Sequence, residues 1–365
     1  MELYCVHPCL LIYPKKVESN NEYVIETVSS EPSYIVEDSR IIWALYILPE
    51  TFSKEVAINI WSSERNVAPD VDDIWDFLVQ EGLVQTLRTS SILTRYKQWE
   101  KLGWPIAGIY HEATRDYPFL DMSRQNAFIT DNQRMKSYEG SWHAPPVYQN
   151  FPSISSTSLL KLTEPLDTKI VKSISGNHFD KISLILDLCF GERHHLEHTN
   201  DEHNFLQLES LRKAVPSGGG RHPTEVFLTI LSSLFGLEPG LYHYNVQKNS
   251  LDLLERKNFQ SEVESCISAS NVQQMDKPDA YIFFSSLCER AMWRYRDPRS
   301  WRAFIIDIGH AQHFFETVCL ELGYKCFSLN RIDEINTSRL IGLDPLSQPV
   351  LASTALYATN ISGDE

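Results

Sequence analysis

Residues 212–227 read RKAVPSGGGRHPTEVF, and this stretch decides the fold. Three consecutive glycines stand directly before EVFLTILSSL (225–234), whose apolar density predicts a buried strand. A glycine run lets backbone N–H groups approach a ligand closely and point inward, so a heteroaromatic or oxygen-rich edge is held without side chains. The run lacks the Gly-Lys-Ser/Thr ending of a nucleotide-phosphate loop and the GxGxxG spacing that opens a helix. Standing alone, the segment reads as a flexible hairpin turn.

It does not stand alone. Downstream come Gly240-Leu241-Tyr242-His243-Tyr244, then Met292-Trp293-Arg294-Tyr295-Arg296, then Trp301-Arg302-Ala303-Phe304 running to Gly309-His310-Ala311-Gln312, and finally TSRLIGLD at 337–344. Between them, KISLILDLCF (181–190) predicts an apolar helix and AYIFFSS (280–286) a buried strand. Residues 303–322 predict a long amphipathic helix stopped by Gly323. From about residue 166 to the end, helix and strand alternate as in an α+β fold.

The order and spacing of these segments resemble the SagB-type dehydrogenases, which include the azoline oxidases of thiazole- and oxazole-containing peptides. The resemblance covers about residues 166–360. It implies a nitroreductase-like FMN domain over 166–365, with a central antiparallel-rich sheet flanked by helices, whose intertwined homodimer completes two flavin sites. It places Pro216, Ser217, Gly218, Gly219 and Gly220 against the isoalloxazine or ribityl chain of FMN, and adds Arg212, Gly309 and His310 to the cofactor site. The Arg-rich stretch that usually meets the phosphate is replaced here by KSISGNHF (172–179). There Lys172 and Ser173 offer an ammonium and a hydroxyl to a phosphomonoester, with Arg339 and Arg331 as further candidates.

A second departure bears on chemistry. The family uses a Lys-Tyr pair as base while hydride leaves for the flavin; this chain has Arg294-Tyr295. A phenol titrates near pH 10, so a neighbouring cation is needed to bring Tyr295 toward neutrality. Arg294 supplies that charge but not a base of its own. Two directions stay open: dehydrogenation of an azoline or a peptide unit with oxygen reoxidising the flavin, or reduction of a dehydroamino acid by a nicotinamide. A catalytically inactive scaffold in a peptide-modifying complex is the rival. The resemblance implies as partners a precursor peptide, a second copy of the chain, and a cyclodehydratase or other maturation enzyme.

Residues 1–92 predict a different module. Tyr23–Val36 has strand character, Arg40–Leu48 is dense enough for a buried helix, Thr51 or Ser53 caps a helix over Lys54–Trp61, and Pro69-Asp70 opens a third that ends at Gly82 before the strand-like LVQTLRT. Three helices and a wing make a winged-helix unit. Asp70, Asp72, Asp73, Asp76 and Glu81 along the third helix make it a poor reader of DNA. It resembles the leader-recognition elements found ahead of peptide-modifying enzymes, where the precursor peptide adds as a strand beside the third helix. Residues 93–165 form a connector, helical in SILTRYKQWEKLGWPIAGIYHEATR (91–115) and extended in the turn-rich QNAFITDNQRMKSYEGSWHAPPVYQNFPSISS (125–156). Tyr110-His111 with Ala113-Thr114-Arg115 resembles a stretch that precedes the flavin domain in SagB-type proteins.

Composition sets the outer bounds. The 365 residues, 42% hydrophobic with 16 Tyr, 17 Phe and 8 Trp, describe a globular enzyme. The formal charge of −15 argues against nucleic acid, whose phosphates need clustered Lys and Arg. Seven scattered Cys without a CxxC pair read as reduced cytoplasmic thiols, Cys288 among them as a buried inert one. Neither a signal peptide nor an apolar membrane span is expected. His194, His195, His198 and His203 lie close together near Glu192, Glu197, Asp201 and Glu202, with His194 and His198 sharing a face if helical. The HExxH order is missing, and no metal is expected.

Overall fold

A computed structural model describes residues 2–17, 20–27, 33–64, 70–88, 91–115, 120, 123–124, 126–161, 177–197, 199–200, 206–267 and 277–358. The chain divides into two compact units, 1–119 and 120–365.

The first unit holds a short strand β1 (Tyr4–Val6) and an antiparallel meander of β2 (Leu10–Val17), β3 (Asn20–Thr27) and β4 (Ser33–Val36). Helices α1 (Ser39–Tyr46), α2 (Lys54–Ser63) and α3 (Val71–Gln80) follow, then β5 (Val84–Thr86), which pairs with β1. Of the two candidates the sequence offers for α2, Ser53 is the cap, accepting from the Val56 N–H, while Asp38 accepts from the Arg40 N–H at the start of α1. Gly82 takes the left-handed φ of +69° just beyond α3. The inward faces close on Ile25, Leu45, Trp61, Trp75 and Leu78, and Trp61 Nε1 donates to the Ala44 carbonyl at 2.9 Å. The stretch predicted helical forms α4 (Ser91–Lys101) and α5 (Pro105–Arg115), which pair with each other.

In the second unit, α6 (Ala127–Ser141) overturns the extended reading of that stretch. Its polar run Thr130-Asp131-Asn132-Gln133 hides the helical spacing of Met135 and Tyr138. The partners that fix the helix, Trp293 and Arg294, lie about 160 positions downstream. After β6 (Ser155–Ser158) and α7 (His178–Phe190) come the short strands β7 (His194–Leu196), β8 (Thr199–Asn200), β9 (Leu206–Gln207) and β10 (Ser210–Arg212), with β7 pairing β10 and β8 pairing β9. His194 therefore sits in a strand, not on a helix face.

Strands β11 (Thr224–Ile230), β12 (Gly240–Asn245), β13 (Ser250–Glu255) and β14 (Ala280–Ser286) build the main sheet, joined by β15 (Tyr324–Leu329) and β16 (Val350–Ala358). Its order is β15-β16-β14-β11-β12-β13-β6, antiparallel at every pairing. Strands β11, β12 and β14 are buried on both faces, which explains why they read as near-continuous apolar runs.

Successive residues alternate between the faces. Val226, Leu228, Ile282 and Phe284 pack with Ile185, Ile308 and Phe315 of α7 and α10 (Ser300–Glu321). Phe227, Leu241, Tyr281 and Phe283 pack with Phe259, Val263 and Ile341, at or on α8 (Gln260–Cys266) and α11 (Glu334–Ile341). Each fully buried aromatic such as Phe284 or Phe315 stabilises the fold by about 1.5–3 kcal/mol relative to exposure. A four-residue helix α9 (Glu289–Met292) leads out of β14 toward α10. No helix among the described residues is long and apolar enough to cross a membrane.

Candidate functional site

Strand β10 ends at Arg212, and the chain turns through Gly218–Gly220 before entering β11. Gly219 and Gly220 have φ of +60° and +64°, the left-handed region that favours glycine. A Cβ on Gly219 would collide with the Tyr295 hydroxyl, and one on Gly220 with Arg212 Nη1. The turn is thus a cradle packed directly under a phenol and a guanidinium. Asp307 of α10 anchors its entrance: Ser217 Oγ donates to Asp307 Oδ2 at 2.7 Å, and the Gly218 N–H donates to the same carboxylate at 3.0 and 3.1 Å. Ser217 Oγ also accepts from the His222 N–H at 2.9 Å, closing the turn on itself. Burial raises the Asp307 pKa, opposed by these two donors.

Tyr295 lies just past α9, its N–H donating to the Ala291 carbonyl at 2.8 Å. The Arg294 guanidinium stands 5.1 Å from the Tyr295 ring centroid, and its Nη2 donates to both oxygens of Asp131 at 2.7 Å. Arg221 joins this group. Burial lowers its pKa, Tyr295 and Asp131 act against that, and Arg294 and Arg212 reinforce it. Arg221 thus lies between Arg212 at the turn and Arg294 against the phenol.

A sealed network adjoins the turn. Glu225 accepts from Arg290 Nη1 at 2.5 Å and bonds His243 Nε2 at 3.0 Å, and all three side chains are almost wholly buried. The register explains the second contact: Phe227 faces His243, so Glu225, two residues earlier on the same face, is the diagonal neighbour of that histidine. Arg290 Nη1 also donates to the His222 carbonyl at 3.1 Å. Burial alone would raise the Glu225 carboxyl, but Arg290, His243 and Lys213 outweigh it and hold the group down at about 2. Burial lowers Lys213 to about 8, with Glu225 opposing and Arg290 adding to the fall. His222 is pushed down to about 3 by burial and then by Lys213, Arg212 and Arg290.

Beside Tyr295 opens a cleft of about 670 Å³ with largely apolar walls, among them Trp142, Met292, Trp293, Trp301 and Phe304.

Of the residues singled out from sequence, Arg212, Ser217, Gly218, Gly219, Gly220, Arg294 and Tyr295 meet at one place. Pro216 is exposed at the mouth of the turn. Gly309 and His310 lie on the exposed face of α10; the residue of that helix which reaches the turn is Asp307. Arg339 is exposed on α11, which packs on the sheet face opposite α10, close to Asp333. Lys172 and Ser173 lie outside the described residues, as do His198 and His203. His195 Nε2 bonds Glu209 at 2.9 Å, and no group of three or more His, Cys, Asp or Glu among the described residues is placed to hold a metal. Cys288 is buried and its thiol is pushed up to about 11, as expected of an inert one. Sequence reasoning passed over Asp131, Arg221, Glu225, His243, Arg290 and Asp307. For Glu225, His243 and Asp307 there was a signal, a polar residue within an apolar run.

The residues present fit a flavin. Gly219 and Gly220 carry Tyr295 and Arg212 where a Cβ would sit, and Arg221 Nε is buried without a hydrogen-bond partner among the described residues. An orphaned guanidinium N–H beside a glycine turn suits the oxygen- and nitrogen-rich edge of an isoalloxazine or a phosphate.

Residues 194–355 match the nitroreductase family, and this part of the chain is a nitroreductase-family domain. It carries the turn, Tyr295, Arg221 and the sealed network; α6 lies outside it. Two curated relatives are similar to the chain. The trifolitoxin-processing protein TfxB of Rhizobium leguminosarum bv. trifolii is 34% identical over 153 residues, 41% of this chain and 40% of TfxB. The microcin B17-processing protein McbC of Escherichia coli is 29% identical over 119 residues, 32% of this chain and 43% of McbC. The chain therefore spans about two fifths of the length of the relatives it matches. The crystal structure of a candidate nitroreductase from Anabaena variabilis ATCC 29413 superposes with a TM-score of 0.51 at 21% identity, covering 69% of this chain and 46% of that one. This likeness supports the nitroreductase-like fold.

Proposed function

We propose that the protein is an FMN-dependent oxidoreductase that modifies a ribosomally made precursor peptide, and that dehydrogenation of an azoline or of a peptide unit is its reaction. One observation carries the reading: the Tyr295 hydroxyl lies on the left-handed glycine of a cradle ringed by Arg212, Arg221 and Arg294. The likeness to TfxB and McbC supports the choice of a peptide substrate.

Bound FMN would supply hydride acceptance or donation. The protein does the rest. Arg212 and Arg221 would hold the cofactor beside the Gly218–Gly220 turn, and Ser217 with Asp307 fixes the turn. Tyr295 takes the proton from the substrate carbon, with the Arg294 guanidinium held against its ring. The aromatic walls of the cleft offer the substrate an apolar surface beside Tyr295. In the opposite direction the same phenol gives a proton to a dehydroamino acid.

The first unit serves in this reading as a winged-helix leader-docking module. Support comes from the open edge of the meander and from an apolar groove of about 710 Å³ lined by Ile12, Ile42, Trp43 and Tyr46. The acidic residues of α3, two of them near Lys54, weigh against DNA. Exposed Met292, Trp301, Ile305 and Ile306 support a second copy of the chain as partner.

Absorbance of the purified protein tests the reading, with FMN added if it is colourless. Flavin bands, together with a Tyr295→Phe variant that keeps the colour and loses turnover on the precursor peptide, support it. A protein that takes up no FMN defeats it, and equal inactivity of parent and variant leaves a scaffold.

A further inference from the structure

The segment Glu289–Arg296 carries Arg294 and Tyr295, and α6 grips it along a single stripe. Residues 131, 135, 138 and 142 recur at intervals of four, three and four, the spacing of one helix face. Each meets this segment. Asp131 takes Arg294 Nη2 on both oxygens at 2.7 Å. Met135 packs in one cluster with Trp293, and the Tyr138 ring meets Trp293 edge-on, with centroids 6.1 Å apart and planes at 86°. The Arg296 guanidinium lies 3.9 Å above Tyr138. At the end of the helix, the Trp142 carbonyl accepts from Trp293 Nε1 at 2.5 Å, and Trp142 Nε1 donates to Glu289 at 3.0 Å.

This clamp comes from residues 127–142, upstream of the part of the chain that matches the nitroreductase family. Of the stripe, Asp131 is the member that touches the cation next to Tyr295. An arginine side chain has several rotatable bonds, and a guanidinium stays over a ring only where something holds it. With 19% of the Arg294 side chain and 24% of the Asp131 side chain exposed, the pair is shielded enough to keep one geometry.

We infer that Asp131 is a positioning residue of the site: through Arg294 it holds the Tyr295 phenol on Gly219, with the rest of the α6 stripe fixing the segment between them. This rests on Tyr295 being the proton-transfer group, yet it concerns placement and is testable without flavin or peptide.

The test places 3-fluorotyrosine at position 295 of the full chain and records its ¹⁹F spectrum in the parent and in Asp131→Asn, Asp131→Glu and Arg294→Gln. The expected result is one narrow line in the parent. It is displaced or split in Asp131→Asn and in Arg294→Gln, which breaks the same pair from the other side, and returns to the parent position in Asp131→Glu. An unchanged line in Asp131→Asn overturns the inference, and so does a line that stays displaced in Asp131→Glu. Should Asp131→Asn fail to fold, Arg294→Gln and Asp131→Glu decide alone. FMN content is measured on the same samples: a protein without flavin affinity sinks the enzymatic reading and leaves the fluorine result interpretable.

Discussion

Two charged groupings adjoin the glycine turn and follow opposite rules. Glu225, Arg290 and His243 are sealed, with about 3% or less of each side chain exposed. Arg294 and Asp131 keep 19% and 24% of their side chains exposed, and Tyr295 beside them lines an open cleft. Charges without access to solvent or ligand can only hold a structure in place, since each must keep its partner to offset desolvation. Partly exposed charges lose less to desolvation, so altering them costs less. The contrast separates the scaffold of the site from its chemistry.

Removing Glu225 should break the contrast most strongly. Glu225→Gln leaves the Arg290 charge buried without its partner and should cost about 3–5 kcal/mol in urea unfolding; a loss below about 1 kcal/mol would erase the distinction. The pH dependence sharpens the same point. A carboxyl held at about 2 in the folded state stabilises fully above the ordinary value of about 4.3 and loses that stabilisation as pH falls toward 2. His222, kept neutral down to about 3, adds a loss of the same sign once the unfolded chain takes up its proton below about 6.5. The urea midpoint of the parent should therefore fall as pH drops from about 6 to 3. Glu225→Gln should lack the lower part of that slope.

On the open side the effects should be smaller in stability and larger in ligand binding. Gly219→Ala forces a Cβ onto a left-handed residue against Tyr295 and should cost about 1–3 kcal/mol by thermal unfolding. Ser217→Ala removes both a donor to Asp307 and the acceptor of the His222 N–H, for about 1–2 kcal/mol. The solvent-exposed Arg256–Glu238 pair sets the floor: Arg256→Ala should change stability by no more than about 0.5 kcal/mol.

The same contrast marks what was legible in the sequence. Glycine carries its backbone meaning in its name, so the turn could be read from Gly218–Gly220, and Arg294-Tyr295 from its place among the ordered segments. The strands over 224–230 and 280–286 were legible because burial on both faces leaves few polar residues. Asp307 was hidden by distance, because its partners Ser217 and Gly218 are some 90 residues away. Glu225 and His243 looked like blemishes in apolar strands until register made them neighbours. Helix α6 was misread because its polar residues suggest turns, while its contacts come from Trp293, Arg294 and Arg296. Its stripe acquires meaning only from those tertiary partners.

The most direct measurement is an equilibrium FMN titration of the parent and of Gly219→Ala, with folding of both checked by circular dichroism. If the turn cradles the flavin beside Tyr295, the parent binds about one FMN per chain and the folded variant binds at least about tenfold more weakly, the equivalent of 1.4 kcal/mol. Equal affinity in the two proteins contradicts the account.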